Sequence, residues 1–182
     1  MSVCLFSQFF LFFIDKTLLE RIISSQTIIE HKWVKFMQAV LSHEPGGPEK
    51  LTLKQLDIKE PLEGEVRIKV KAAGVNFPDN LIIRDLYQIK PTRPFSPGGE
   101  ISGVVEALGD GVSNFKIGDR VLATPGYGGF VTHLNINASE VKKIPDRMSF
   151  QEAACFVFTY GTSHYALMDR AKLKKGETLL IS

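Results

Sequence analysis

Cysteine is scarce in this chain, which has only Cys4 and Cys155 among its 182 residues. The two cysteines lie far apart and in unlike surroundings, without the C-x-x-C spacing of metal or redox motifs. The sequence therefore argues against a disulfide-stabilised extracellular scaffold and against a cysteine-ligated zinc site. A reducing compartment is expected, with the cytoplasm as the location.

An excess of charge of either sign is also missing. The formal net charge is +2, and no basic stretch alternates with aromatic residues. A nucleic acid or an acidic membrane surface attracts proteins through a marked positive field, which this chain lacks. Nucleic acid is therefore not expected as a partner.

Long apolar runs are absent too. Residues 9–14 are all apolar, but a bilayer span needs about 20 such residues, so no membrane span is expected. No lysine or arginine precedes this run and Asp15 follows it, which disfavours a secretory signal. Residues 1–36 are predicted to be an unstructured or artefactual extension. The alternative is an atypical targeting leader, which would place the protein in the mitochondrion.

What is present after this segment is a series of short strand patterns. Residues 65–70 alternate strictly, with Val66 on one face and Arg67 on the other, as in a half-buried strand. Glycine, proline, asparagine and aspartate separate the candidates. The further predicted strands are residues 38–41, 51–56, 101–107, 120–123 and 130–136. Such spacing favours a barrel or sandwich over alternating strand–helix units.

The pattern changes after Pro145. Ser149 and Glu152 have the spacing of a capping box, which predicts a helix that is bent near Gly161 and continues to about Asp169. Residues 177–181 end in three consecutive apolar side chains and predict a fully buried strand.

Six motifs in succession resemble those of the quinone oxidoreductase branch of the zinc-independent medium-chain dehydrogenases/reductases. Each motif is weak alone, but their order and spacing are family-like from Met37 to Ser182. The motifs are AGVNFPD (73–79), PFSPGGEISGVV (94–105), KIGDRV (116–121), GYGGF (126–130), FQEAA (150–154) and GETLLI (176–181).

The resemblance implies a mainly β fold with short helices. A GroES-like, partly open β-barrel would occupy residues 37–160, and residues 161–182 would contribute a helix and only the first strand of a Rossmann-type domain. The glycine-rich phosphate turn would follow Ser182, so the chain is expected to be truncated. The family cofactor is NADPH, and most of its site would lie in the missing part.

The resemblance also implies that no zinc is bound. Zinc-dependent relatives carry a cysteine and a histidine ligand at the positions held here by Asn76 and Gly99. A neutral amide is a poor zinc ligand, and glycine has no side chain. Without a Lewis acid, the acceptor must already be electron-poor, which points to a quinone or an enone.

Four residues match functional positions of the family. Asn76 matches a residue near the nicotinamide ribose, and Thr162 and Tyr165 match positions that face the cofactor. Tyr87 matches a tyrosine of the acceptor pocket, whose catalytic role would be a hydrogen bond to a carbonyl oxygen. The alternatives are a loop asparagine bonded to its own backbone, a partly buried loop tyrosine, and core packing for Tyr165.

Neighbouring positions have structural interpretations. Asp79 is expected to cap a helix rather than shape the substrate entrance, and Glu100 is expected to be structural. Leu81 and Asp85 stand where the family often has a second pocket tyrosine and a glycine, which leaves the acceptor open. Phe156 and Phe158 are predicted to lie in the core.

Two functions of different class remain. The first is an NADPH-dependent reductase, expected to be inactive as this chain alone. The second is a non-enzymatic product that pairs with a full-length partner; a homo-oligomer is a further possibility.

Overall fold

The computed structural model describes residues 36–181. Its first unit is an antiparallel hairpin of β1 (Phe36–Ser42) and β2 (Leu51–Asp57). The register runs from the pair Phe36–Asp57 to the pair Ser42–Leu51. Because Phe36 is already in β1, the predicted extension ends one residue earlier than expected; its interpretation as a leader or an artefact lies outside the described residues.

The second unit is a five-stranded antiparallel sheet with the strand order β6-β3-β4-β5-β7. Its strands are β3 (Glu65–Gly74), β4 (Glu100–Leu108), β5 (Arg120–Ala123), β6 (His133–Asn137) and β7 (Val141–Lys143). The apolar residues predicted to face inward form its core, with Val66, Ile68, Ile101 and Val121 fully buried.

The two sheets meet along β1. Val40 donates its backbone N–H to the carbonyl of Phe130, and Thr132 donates to that of Gln38. An isolated bridge joins Ser42 and Phe95 at the other end of the strand. These sheets remain open and form no closed barrel, which agrees with the partly open GroES-like fold that was expected.

Short helices occupy the connections. Helix α1 (Phe77–Ile82) follows β3, and α2 (Phe150–Ala154) begins with the predicted capping box, in which Ser149 Oγ accepts from the Glu152 N–H. The last helical stretch follows α2. It consists of two π-helical segments, Val157–Gly161 and Tyr165–Arg170, with the short helix α3 (Thr162–His164) between them.

The predicted bend at Gly161 is wrong. Gly161 has ordinary helical angles, φ −62° and ψ −44°. The break lies instead at Cys155, whose φ of −118° and ψ of 12° end α2. The next helical segment begins at Val157. The N–H of the following residue, Phe158, donates to Glu100, which lies outside the helix.

The predicted strand at residues 177–181 does not form. The segment has no ladder partner among the described residues, and Leu180 and Ile181 are 89% and 59% exposed. A strand requires a neighbour to satisfy its backbone groups, and apolar content alone does not supply one. No helix within residues 36–181 is long and apolar enough to cross a membrane.

Candidate functional site

The start of α1 fixes two side chains that face the loop before β4. Asp79 Oδ2 accepts a hydrogen bond of 2.8 Å from the Asn76 N–H, and Oδ1 accepts one of 2.9 Å from the Gly98 N–H. Asp79 is buried, and burial raises the pKa of its carboxyl against the opposing effect of these bonds. The capping role predicted for Asp79 is confirmed, and the residue also ties α1 to the Pro97–Gly98 turn.

Glu100, the first residue of β4, is only 1% exposed. Its Oε1 accepts a 3.1 Å hydrogen bond from Asn76 Nδ2, and its Oε2 accepts one of 3.1 Å from the Phe158 N–H. Burial raises the pKa of the Glu100 carboxyl, and the hydrogen bonds from Phe158 and Asn76 oppose that shift. Glu100 therefore joins β4, the residue before α1 and the last helical stretch.

The glycine at position 99 is packed against an aromatic ring. A Cβ atom at Gly99 would lie 2.9 Å from Cζ of Phe158 and 3.3 Å from the Gly126 carbonyl oxygen. The Phe158 ring thus fills the space that a side chain at position 99 would need. We call Asn76, Gly99, Glu100 and Phe158 the amide–carboxylate site.

Tyr87 lies in the loop after α1. It is partly buried and packs against the cluster of Ile82, Ile83 and Phe95. Within the described part of the chain, no hydrogen bond joins its hydroxyl to Asn76 or to any other residue. The structure therefore does not bond Tyr87 into the amide–carboxylate site.

The backbone conformation of Asp85 explains why the family often has glycine at this position. Its φ of +57° lies in the left-handed region, which glycine adopts without steric cost. Arg93 forms an ion pair with Asp85 at 2.6 Å and also donates to the Ile83 carbonyl. This pair fastens the two ends of the loop that carries Tyr87.

Thr162 and Tyr165 lie on the last helical stretch and are exposed. Tyr165 is 55% exposed and is not packed in the core of the described residues. Phe156 is 45% exposed and stacks on Tyr160, which makes its predicted core position wrong, whereas Phe158 is partly buried. Of the four predicted site residues, only Asn76 belongs to the amide–carboxylate site.

Sequence reasoning missed the part that Glu100 and Phe158 play. Glu100 was expected to be structural and Phe158 to be core, and both interpretations overlook their contact with each other and with the Asn76–Gly99 pair. The only available signal was the proximity of Glu100 to Gly99 in the P-G-G-E motif.

Comparison with known proteins agrees with this geometry. Residues 62–146 match the model of the alcohol dehydrogenase GroES-like domain. The mouse (Mus musculus) protein "synaptic vesicle membrane protein VAT-1 homolog-like" is 41% identical over 145 residues, which cover 80% of this chain and 35% of that protein. Quinone oxidoreductase of Homo sapiens is 38% identical over 149 residues, covering 81% of this chain and 45% of that protein. Residues 62–146 thus form an alcohol dehydrogenase GroES-like domain, and the relatives of the chain include quinone oxidoreductases of the medium-chain dehydrogenase/reductase type.

Solved structures show the same similarity. The human VAT-1 homolog-like protein superposes with a TM-score of 0.75 at 41% identity, covering 78% of this chain and 46% of that one. Escherichia coli quinone oxidoreductase complexed with NADPH superposes with a TM-score of 0.68 at 33% identity, covering 74% of this chain and 41% of that one. The chain spans less than half the length of each of these relatives.

Proposed function

We propose that this chain forms the acceptor side of a reductase that transfers hydride from NADPH to a quinone or an enone without a metal ion. The observation that carries the proposal is the packing at Gly99. A zinc site of the alcohol dehydrogenase kind needs an imidazole there and a thiolate at position 76. The Phe158 ring occupies the first place, and an amide bonded to Glu100 occupies the second.

The acceptor class follows from the lack of a Lewis acid. Where no metal polarises the carbonyl, conjugation makes the acceptor electron-poor enough to take hydride more readily, as in quinones and enones. In this proposal the Tyr87 hydroxyl, which has no protein partner in the described part of the chain, donates a hydrogen bond to the acceptor oxygen as negative charge develops on it.

The described residues fit only one end of the cofactor. Asn76 would hold the nicotinamide ribose, and the exposed side chains of Thr162 and Tyr165 would line the cofactor side. NADPH, when bound, supplies the hydride. A pyrophosphate cradle needs a parallel strand, a glycine-rich turn and a helix N-terminus, and residues 36–181 contain no parallel strand pair.

The metal-free proposal predicts that the chain purified after growth with added zinc contains far less than one zinc ion per molecule by elemental mass spectrometry. A positive control is the triple variant Asn76→Cys/Gly99→His/Phe158→Ala. It supplies a thiolate, an imidazole and the space now filled by the ring, next to the Glu100 carboxylate, and is expected to retain zinc. Stoichiometric zinc in the unmodified chain would refute the metal-free mechanism.

The cofactor proposal predicts different behaviour for the two halves of NADPH. The 182-residue chain is expected to give no saturable change in NADPH fluorescence at micromolar concentration, because adenine and pyrophosphate contacts supply most of the affinity. Reduced nicotinamide mononucleotide at millimolar concentration is expected to shift the NMR signals of the Asn76 side chain, whereas adenosine 2′,5′-bisphosphate is not.

The control for that titration is Asn76→Ala, in which the nicotinamide fragment should no longer shift the α1 amide signals. Micromolar NADPH binding would contradict the division of the cofactor site. Equal shifts from both fragments would contradict the role of Asn76.

A second candidate function is pairing with a full-length partner. The observation that favours it is a set of exposed apolar side chains on the last helical stretch and beyond it: Phe156, Tyr160, Tyr165, Met168 and Leu180. Soluble proteins usually cover large apolar side chains that cluster on one surface, and Phe156 and Tyr160 stack on each other here. If the nicotinamide fragment leaves the Asn76 signals unchanged, pairing becomes the better account of the chain.

A further inference from the structure

The loop that begins at Tyr87, residues 87–92, has few contacts of its own; we call it the Tyr87 loop. The last backbone hydrogen bond before it is donated by Leu86, and the next one after it joins Phe95 to β1. Between them, the backbone groups of the Tyr87 loop form no hydrogen bond with any described residue. Ile89 is largely exposed, whereas Tyr87 packs on the apolar cluster below it. The position of the loop therefore depends on side chains at its two ends.

The side chains that flank the loop are joined by one guanidinium group. Arg93 Nη2 donates to Asp85 Oδ1 at 2.6 Å and to the Ile83 carbonyl at 3.2 Å. Arg93 Nη1 donates to Ser42 Oγ at 3.2 Å, which adds the end of β1 to the same group. The planar guanidinium presents its donors in a fixed arrangement, so these three contacts determine its orientation.

The backbone conformation of Asp85 shows what its carboxylate contributes. Its φ of +57° lies in the left-handed region. Aspartate tolerates this region better than most residues, but glycine adopts it without steric cost. Aspartate supplies here what glycine cannot, which is an acceptor and a negative charge for Arg93.

The same guanidinium also connects the loop to the amide–carboxylate site. Arg93 Cζ lies 5.0 Å from the centroid of the Phe95 ring, and Tyr127 packs edge-on against that ring with a centroid distance of 6.1 Å. Tyr127 follows Gly126, whose N–H donates to the Gly99 carbonyl at 3.2 Å. A continuous series of contacts thus runs from the Tyr87 loop to the backbone of Gly99.

We infer that Arg93 and Asp85 are a positioning pair that fixes the Tyr87 loop relative to the amide–carboxylate site. A loop that is already ordered spares an incoming acceptor the entropy cost of ordering it. The contact between Tyr87 and an acceptor rests on the proposed function, whereas the order of the loop does not.

Two variants break the ion pair from opposite ends. Asp85→Gly removes the carboxylate, and Arg93→Met removes the guanidinium but leaves the backbone at position 85 unchanged. In both variants, ¹⁵N relaxation is expected to show the order parameters of residues 88–90 falling from about 0.85 to about 0.6 or lower. The urea midpoint of Asp85→Gly is expected to stay close to that of the unmodified chain, because relief of the positive φ offsets the loss of a partly exposed ion pair. A loop that loosens without a loss of stability distinguishes positioning from a general structural role.

The control is Lys143→Gln, which removes the 2.8 Å ion pair between Lys143 and Asp119 and should leave the order of the Tyr87 loop unchanged. Loosening in Asp85→Gly alone would trace to the added glycine and would overturn the positioning role. Loosening in Arg93→Met alone, or in neither variant, would overturn the pairing of the two residues.

Duroquinone, which has no free ring position for thiol addition, tests the link to the acceptor. It is expected to shift the Tyr87 ring signals of the unmodified chain and to bind Asp85→Gly about fivefold more weakly, because only the fraction of loops in the binding arrangement is competent. Equal affinity in the two proteins would overturn the contribution of the pair to acceptor binding. If duroquinone shifts Tyr87 in neither protein while both variants loosen the loop, the proposed acceptor role of Tyr87 fails and the positioning of the loop stands.

Discussion

Gly98→Ala is expected to destabilise the chain by about 3 kcal/mol or more. Gly98 has a φ of +104°, which residues with a Cβ rarely adopt. A Cβ there would lie 2.5 Å from Cδ1 of Phe130 and 2.6 Å from its backbone nitrogen. Relief of that clash requires backbone movement, because Phe130 N–H is itself bonded to the Pro97 carbonyl. Such a movement would also loosen the Gly98–Asp79 bond that holds α1 in place.

A matched control separates the clash from the cost of the backbone angle. Gly118 has a similar φ of +93°, but a Cβ there meets nothing within 4 Å. Gly118→Ala is therefore expected to cost only about 1–2 kcal/mol. Urea unfolding followed by circular dichroism gives both values. Equal losses in the free energy of unfolding would show that the clash with Phe130 adds nothing to the cost of placing alanine at a positive φ.

The strands were the part of the fold most accessible to sequence reasoning. Sequence patterns located β1 to β5 to within about four residues, through alternation in β3 and through the turn residues that separate the other strands. The start of β6 was placed three residues too early, at Phe130 rather than His133. β7 escaped notice because its three residues, Val141–Lys143, contain a single apolar side chain, and its register is set by pairing with β5.

The site was less accessible, because its contacts join distant parts of the chain. The sequence indicated Asn76 through its motif, but the hydrogen bond that the Phe158 N–H donates to Glu100 spans 58 positions. Likewise, no local pattern predicts that the ring of Phe158 lies against Gly99. Phe156 and the strand at residues 177–181 were predicted to be buried from their apolar side chains. They are exposed, because no described element packs over them.

Arg67 is the residue where alternation failed in the sheet. The pattern of β3 assigned its side chain to the polar face, yet the residue is only 4% exposed, between the buried Val66 and Ile68. The hairpin and the segment after β2 cover this face, and the guanidinium bonds to the carbonyl of Lys59 and to Glu106. A cleft of about 530 Å³ runs between the two sheets beside it. The alternation within β3 could not predict that Arg67 is buried, because Lys59 and the segment around it lie outside the five-stranded sheet.

Arg67→Met is therefore expected to lower the free energy of unfolding by about 3 kcal/mol. Methionine replaces much of the side-chain volume but removes the guanidinium that pairs with Glu106 at 3.1 Å and with Glu60 at 3.3 Å. It also removes the donor to the Lys59 carbonyl, which fastens the segment after β2 to β3. Lys69→Met is the matched control, since Lys69 is exposed on the same strand and its loss should cost no more than about 0.5 kcal/mol.

Adding Glu106→Gln to Arg67→Met should restore part of the lost stability, because the unpaired charge disappears while the missing donor does not return. Urea unfolding of the two single variants and the double variant measures the coupling between the two side chains. Additive effects would mean that Arg67 stabilises the fold through its backbone contact and its packing, with no contribution from the ion pair. A non-additive result would instead show that an ion pair between the neighbouring strands β3 and β4 stabilises the five-stranded sheet beside the cleft.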